Sequence, residues 1–264
     1  LAHAGTIFLD EIGSIGLDVQ ANLLRMRADV RGYLALGNPE YQARYHQSAQ
    51  AFKANLAELD ELSPNLDVRG QQHLQKLRTA YEDWSKLPEH LFELRDDQLD
   101  REPAYRLLVI TGTQYAGTVL ININTMIETQ GQREPTSENL ERLQDMAKFQ
   151  GNFAAMLSAL RGYVTTRNRI FRGEYEVNLT DNQNAWDRLS SKRDRLTPTQ
   201  QELFDNIAQN REQFLRLPDQ IFKDLESDRW REDLYIFSTK AVLLANEMQE
   251  LLNHLVADQQ TLLE

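Results

Sequence analysis

Few residues of this chain have the types and spacings that chemistry requires. There are no cysteines, which removes thiolate metal sites, cysteine nucleophiles and disulfide scaffolds together. The five histidines, His3, His46, His73, His90 and His254, show no HExxH or HxxxH spacing. None follows a Glu by three residues, as a di-iron helical bundle requires. Asp96, Asp97 and Asp100 gather acidic side chains without calcium-loop spacing and read as a solvated face. No metal, no cofactor and no catalytic residue is therefore expected, and what remains is recognition chemistry. Arg31-Gly32-Tyr33 recurs as Arg161-Gly162-Tyr163. A glycine inside a helix costs about 1 kcal/mol relative to alanine, so its presence in both copies points to a close helix approach. The arginine beside it can pair with a carboxylate of a neighbouring helix, or offer its planar fork to a carboxylate ligand.

A second feature is a run of small and polar residues, Thr111, Gly112, Thr113, Gln114, Tyr115, Gly117, Thr118, Asn122, Asn124 and Thr125. Its counterpart later in the chain is the apolar Ala241-Val242-Leu243-Leu244-Ala245. Polar groups facing a bundle interior must be paired with each other, with water or with a ligand. The asymmetry assigns any polar pocket to the first half of the chain. The candidate ligand-binding residues are Arg31, Tyr33, Tyr115, Asn122, Arg161 and Tyr163.

Composition sets the frame for these side chains. The 264 residues carry 29 Lys and Arg against 40 Asp and Glu, a net charge of −11. That balance argues against a nucleic-acid groove, which draws its affinity from clustered cations. Apolar residues make up 41%, enough for a packed core. Twelve glycines and seven prolines are too few for a loop-rich β-sandwich or barrel. No apolar stretch approaches the roughly 20 residues that span a bilayer. The opening Leu1–Gly13 has neither a basic n-region nor a long apolar h-region, so the chain is expected to be a piece of something longer.

The spacing of apolar residues predicts helices almost throughout. Ile12, Ile15, Val19, Leu23, Met26, Val30 and Tyr33 form a stripe at spacings of three and four. Gly37-Asn38-Pro39 closes that helix and opens the next. Further helices are predicted over 39–62, 66–86 and 103–130, with a break at Leu87-Pro88. The first helix, about 32 residues, is about 48 Å long.

Sliding the sequence by 130 residues brings the pattern onto itself. Arg31-Gly32-Tyr33 falls on Arg161-Gly162-Tyr163, Tyr45 on Tyr175, Leu59 on Leu189 and Leu87-Pro88 on Leu217-Pro218. Phe92 falls on Phe222, Arg101-Glu102 on Arg231-Glu232 and Tyr105 on Tyr235. This is an internal duplication of one helical unit, with second-copy helices at 137–168, 170–195, 198–216, 218–228 and 230–260. The expected fold is all-α: two tandem antiparallel four-helix-bundle modules, 1–133 and 134–264, in an elongated helical body.

Two resemblances attach to these residues. Gly5-Thr6-Ile7-Phe8-Leu9-Asp10-Glu11-Ile12-Gly13, with Leu17-Asp18-Val19-Gln20-Ala21 and Leu23-Leu24-Arg25, resembles the Walker B strand and following helix of enhancer-binding activator ATPases. Asp10 and Glu11 would there position magnesium and the attacking water. That chemistry also needs a GxxxxGK[ST] loop to cradle phosphates, and the sequence has none. The same residues fit the helical stripe, which is the reading adopted. The second resemblance spans nearly the whole chain. Arg31-Gly32-Tyr33-Leu34-Ala35-Leu36-Gly37-Asn38-Pro39-Glu40-Tyr41 resembles the Arg-Gly-Tyr-Leu-x-Thr-Gly-Asp/Asn-x-x-Tyr signature of helical extracytoplasmic sensor domains in bacterial transmembrane receptors. It is similar to the CHASE-type domains of the third subtype, and the two-module layout is similar to the helical bimodular sensor domains. The second copy keeps Arg161-Gly162-Tyr163 but places Arg167 where the signature has glycine.

The resemblance implies a non-catalytic periplasmic sensor domain of an inner-membrane receptor, flanked by membrane helices outside this chain. A sensor histidine kinase is the first expectation and a methyl-accepting chemoreceptor the alternative. The implied partners are a small anionic ligand (an organic acid or amino acid) or a periplasmic protein, and a second copy pairing along the terminal helices. A displacement of about 1–2 Å between helices would carry the signal. The competing class is a helical adaptor that binds proteins without a small ligand.

Overall fold

The structure, a computed structural model, describes the backbone of residues 2–261 and the side chains of residues 12–257. The Asp10 and Glu11 side chains lie outside the described residues. Their backbone belongs to α1 (Ala2–Leu36), so a helix runs where a Walker B reading places a strand.

The described residues contain helices and turns only. After α1 come α2 (Pro39–Leu62), α3 (Val68–Ser85), α4 (Leu87–Asp96), α5 (Gln98–Arg101), α6 (Pro103–Arg106) and α7 (Thr113–Gly131). The second copy gives α8 (Ser137–Thr166), α9 (Arg169–Ser191), α10 (Pro198–Leu215), α11 (Leu217–Glu226), α12 (Glu232–Ile236) and α13 (Val242–Thr261). Boundaries repeat at the 130-residue offset: α2 and α9 begin at 39 and 169, α3 and α10 at 68 and 198, α4 and α11 at 87 and 217.

The caps explain that agreement. Asn38 and Asn168 accept hydrogen bonds from the backbone N–H groups of Glu40 and Ile170, satisfying donors left open at a helix start. Asp67 caps α3 through Gly70 N–H. Thr197 and Gln200 form a reciprocal capping box on α10.

The helix expected over 103–130 is interrupted. A π-helical stretch, Leu107–Gly112, separates α6 from α7, and its counterpart Phe237–Ala241 separates α12 from α13. A π-turn shifts the backbone bonding by one residue and leaves carbonyls in need of partners. The buried Trp84 indole donates to the Ala241 carbonyl at 3.1 Å. In the other copy the Thr113 hydroxyl donates to Leu108 O at 3.2 Å.

The chain forms two compact units, and they do not divide at 133/134. One comprises Leu1–Arg101 with Arg231–Glu264, the other Glu102–Trp230. Each bundle thus takes three main helices from one sequence copy and its fourth from the other. In the first unit α1, α2 and α3 enclose a core with α13: Val19, Leu23, Met26, Phe52, Leu56, Leu74, Trp84, Met248 and Leu252. In the second, α8, α9 and α10 close over α7, with Phe149, Phe153, Met156, Leu189, Phe204, Phe214, Val119 and Ile123 buried together.

This exchange changes the unit in which the polar run lies. The polar helix α7 lies in the unit built from the second copy. Its Asn122 side chain is taken by Asn206, and the Thr118, Thr125 and Thr129 hydroxyls donate to carbonyls one turn back in their own helix. Buried polar side chains do gather in that unit. Gln200 donates to Gln130 at 3.1 Å, and Asp145 accepts from Arg188 and Lys192. Buried Arg211 donates to Asn182 and Gln183 at 3.0 and 2.8 Å, and desolvation pushes its pKa down to about 10.

Candidate functional site

The Arg-Gly-Tyr segments build the same knot twice. A Cβ on Gly32 would enter the Tyr41 ring, and one on Gly162 would stand 2.7 Å from Phe171. Each glycine therefore lets an aromatic of the next helix lie on its own helix. Tyr33 is buried edge-on to Phe92 at 4.9 Å, and its hydroxyl donates to the Asp96 carboxylate at 2.7 and 2.8 Å. Tyr163 stands edge-on to Phe222 at 5.6 Å and donates to Glu226 at 3.0 Å. Burial first, and the carboxylate second, raise both phenol pKa values. The Tyr163 hydrogen bond, then the Arg172 guanidinium paired with the same carboxylate, hold Glu226 below the usual carboxylate range.

The turn after each knot is left-handed. Gly37 has φ 66°, and the Arg95 guanidinium occupies the space its missing side chain leaves. Arg167, at the corresponding place, has φ 57°, stacks over Trp230 at 4.1 Å and donates to the Leu225 carbonyl at 3.0 Å. Leu225 is the counterpart of Arg95. One arginine fills the turn in either copy, delivered from opposite sides of the contact.

The predicted site residues divide between the units. Arg31 and Tyr33 belong to the first, and Tyr115, Asn122, Arg161 and Tyr163 to the second. Tyr33 and Tyr163 have their hydroxyls engaged as above. Arg31 is exposed and lines a shallow groove of about 450 Å³ with Leu24, Gly32 and Tyr41. Arg161 is exposed on α8. Tyr115 is half-buried against the second core, and Asn122 donates to Asn206 at 2.7 Å. A different set, passed over in the sequence, converges between α1 and α2: Asn22, Arg25, Asp29, Arg44 and Ser48 line an open groove of about 470 Å³. Its signal was present, since Asn22 and Asp29 interrupt the buried side of α1 seven residues apart.

The segment that carries the first knot is what comparison with known proteins identifies. Residues 17–134 match the CHASE3 domain. This CHASE3 stretch runs from within α1 past the end of α7, which is one sequence copy and parts of both compact units. CHASE3 is a family of helical extracytoplasmic sensor domains, and the match takes in a little under half of this chain. Among the described residues no helix is long and apolar enough to cross a membrane, and no group of three or more His, Asp or Glu is placed to hold a metal ion.

Part of the chain is also similar to the DNA-binding transcriptional regulator NtrC of Klebsiella pneumoniae and of Escherichia coli K12, at 34% identity over 107 residues in each. The match takes in 38% of this chain and 23% of each relative. The chain thus spans about a quarter of the length of the curated relatives it matches. Among solved structures it is similar to the sensor domain of the V. parahaemolyticus histidine kinase sensor TorS. There the identity is 14% and the TM-score 0.43, with 96% of this chain and 99% of that one covered.

Proposed function

We propose that this chain is the periplasmic sensing portion of an inner-membrane histidine kinase, and that it transmits its state as a shift of α1 against α13. The observation that carries the reading is the CHASE3 match over residues 17–134. The packing of the first unit supports the relay. Its bundle is closed by the first and last long helices of the chain, and a Cβ on Gly16 would stand 2.9 Å from the Val256 side chain. The rim of that seam is polar: Gln20 donates to Asn253 at 3.0 Å and Arg27 to Asn246 at 2.9 Å. Exposed side-chain hydrogen bonds of this kind re-form at low cost after a displacement of about 1–2 Å. The ligand fits the same scheme as a small anion or a periplasmic protein that binds one helix arrangement more tightly than the other, in a receptor that pairs with a second copy.

These 264 residues contain no cysteine, so an introduced pair is the only one within this chain. A receptor carrying Gly16→Cys with Val256→Cys brings two thiols within reach of a disulfide, locking α1 to α13. Autophosphorylation in membrane vesicles is expected to change at least threefold on oxidation and to return on reduction, with neither single-cysteine variant responding. Unchanged kinase output in fully cross-linked receptor overturns the relay.

A further inference from the structure

The groove between α1 and α2 in the first unit is lined by polar groups, of which only Asp29, with Arg44, is engaged between the two helices. Asn22, Asp29 and Ser48 are 7%, 8% and 9% exposed, yet all three line a cavity of about 470 Å³. Among the described residues the Asn22 amide accepts one long hydrogen bond, 3.5 Å from Arg25, and its own N–H groups donate to no protein acceptor. The Ser48 hydroxyl has no hydrogen-bond partner there. Neither group is sealed from solvent without a partner; both open onto the groove, where a ligand can take the place of water.

The charges around them point to the kind of ligand. Arg44 Nε donates to Asp29 at 2.9 Å, and its guanidinium is held over the Tyr41 ring at 4.4 Å. Arg25 stands on the same lining with only the long contact to Asn22. Two guanidinium groups against one carboxylate leave a single positive charge over a cluster of hydrogen-bond donors. A planar fork of that kind matches a carboxylate, and the volume is that of a small-molecule site.

The duplication shows that the fold does not need this set. At the corresponding positions of the second copy stand Asn152, Ala155, Ala159, Glu174 and Asn178. Both arginines and the aspartate are gone, and α8 and α9 still pack as a pair.

We propose that this groove binds a small monocarboxylate bearing a neighbouring hydroxyl or amino group. Arg25 and Arg44 take the carboxylate, and Asn22 and Ser48 take the second polar group. The proposal deepens the sensor reading by giving it a site and a ligand class. It is tested on the isolated chain, so an empty groove leaves the α1–α13 relay to its own disulfide experiment.

Calorimetric titration with L-lactate and with L-serine separates the hydroxy acid from the amino acid, with succinate and inorganic phosphate as competitors for the class. Saturable binding of lactate or serine is expected, weakened at least tenfold by Arg25→Ala, the residue the second copy itself carries, and by Ser48→Ala. Lys53→Ala, on α2 outside the groove, is expected to bind as the parent chain does. Circular dichroism confirms that each variant is folded. Absence of binding by both compounds, tighter binding of succinate or phosphate, or an Arg25→Ala variant that binds undiminished overturns the proposal.

Discussion

At the residue scale the two knots are held by a missing side chain and a shared carboxylate. Gly162 lies under Phe171, so Gly162→Ala must displace a packed ring. A loss of about 1–3 kcal/mol is expected from such overpacking, read as a lower Tm. Gly151 has nothing within 4 Å of an added Cβ, so Gly151→Ala on the same helix is expected to gain up to about 1 kcal/mol from helix propensity alone. The pair separates steric from conformational roles in one melting series. The carboxylate adds a pH dependence of definite sign. Because the Tyr163 and Arg172 contacts lower the Glu226 pKa in the folded chain, their stabilisation is present above the unfolded carboxylate value of about 4.3 and is lost as pH falls through the folded value. Melting curves between pH 6 and 3 are expected to show the parent chain losing more stability than Glu226→Gln. The turn offers a further check: Arg167→Gly with Leu225→Arg rebuilds the Gly37–Arg95 arrangement, and this double variant is expected to be more stable than Leu225→Arg alone.

At the element scale, the decisive irregularity is the π-helical stretch before α7 and again before α13. A regular helix over 103–130 follows from the stripe of apolar residues, because one extra residue in a turn barely alters a periodicity read over many turns. What sustains the irregular turn before α13 is a contact distant in sequence, the Trp84 indole on the Ala241 carbonyl. Trp84→Phe substitutes the residue that the second copy has at Phe214. It removes the donor while keeping an aromatic in the core. An unsatisfied buried carbonyl and a lost hydrogen bond predict a cost of about 1–3 kcal/mol, measurable by urea denaturation. Hydrogen exchange is expected to rise at the amides of residues 237–241 before those of α13.

For the whole molecule, the exchange of α7 and α13 between sequence copies predicts how the chain can be cut. Residues 102–230 are contiguous and contain all four main bundle helices of the second unit. That fragment is expected to be helical and to melt cooperatively on its own. Deleting residues 237–264 removes Met248, Leu252 and Leu255 from the first core, and is expected to expose it to ANS while leaving the transition of the second unit in place. Loss of both transitions together would show that the two units do not fold independently. The amino-acid sequence by itself determined the helical class, the 130-residue duplication, the bounds of the long helices outside the two π-helical stretches, and the Arg-Gly-Tyr segments of the knots. These are local quantities, set by 3.6-residue periodicity, by caps at Asn38, Asp67 and Thr197, and by glycine at the points of contact. The partner of each fourth helix and the convergence of Arg25, Asp29 and Arg44 were decided only by the tertiary structure. Duplicated helices carry equivalent apolar stripes, so either α7 or α13 offers a face that can close either bundle. The choice between them rests on how the intervening chain turns after Arg101 and after Trp230, which no stripe encodes.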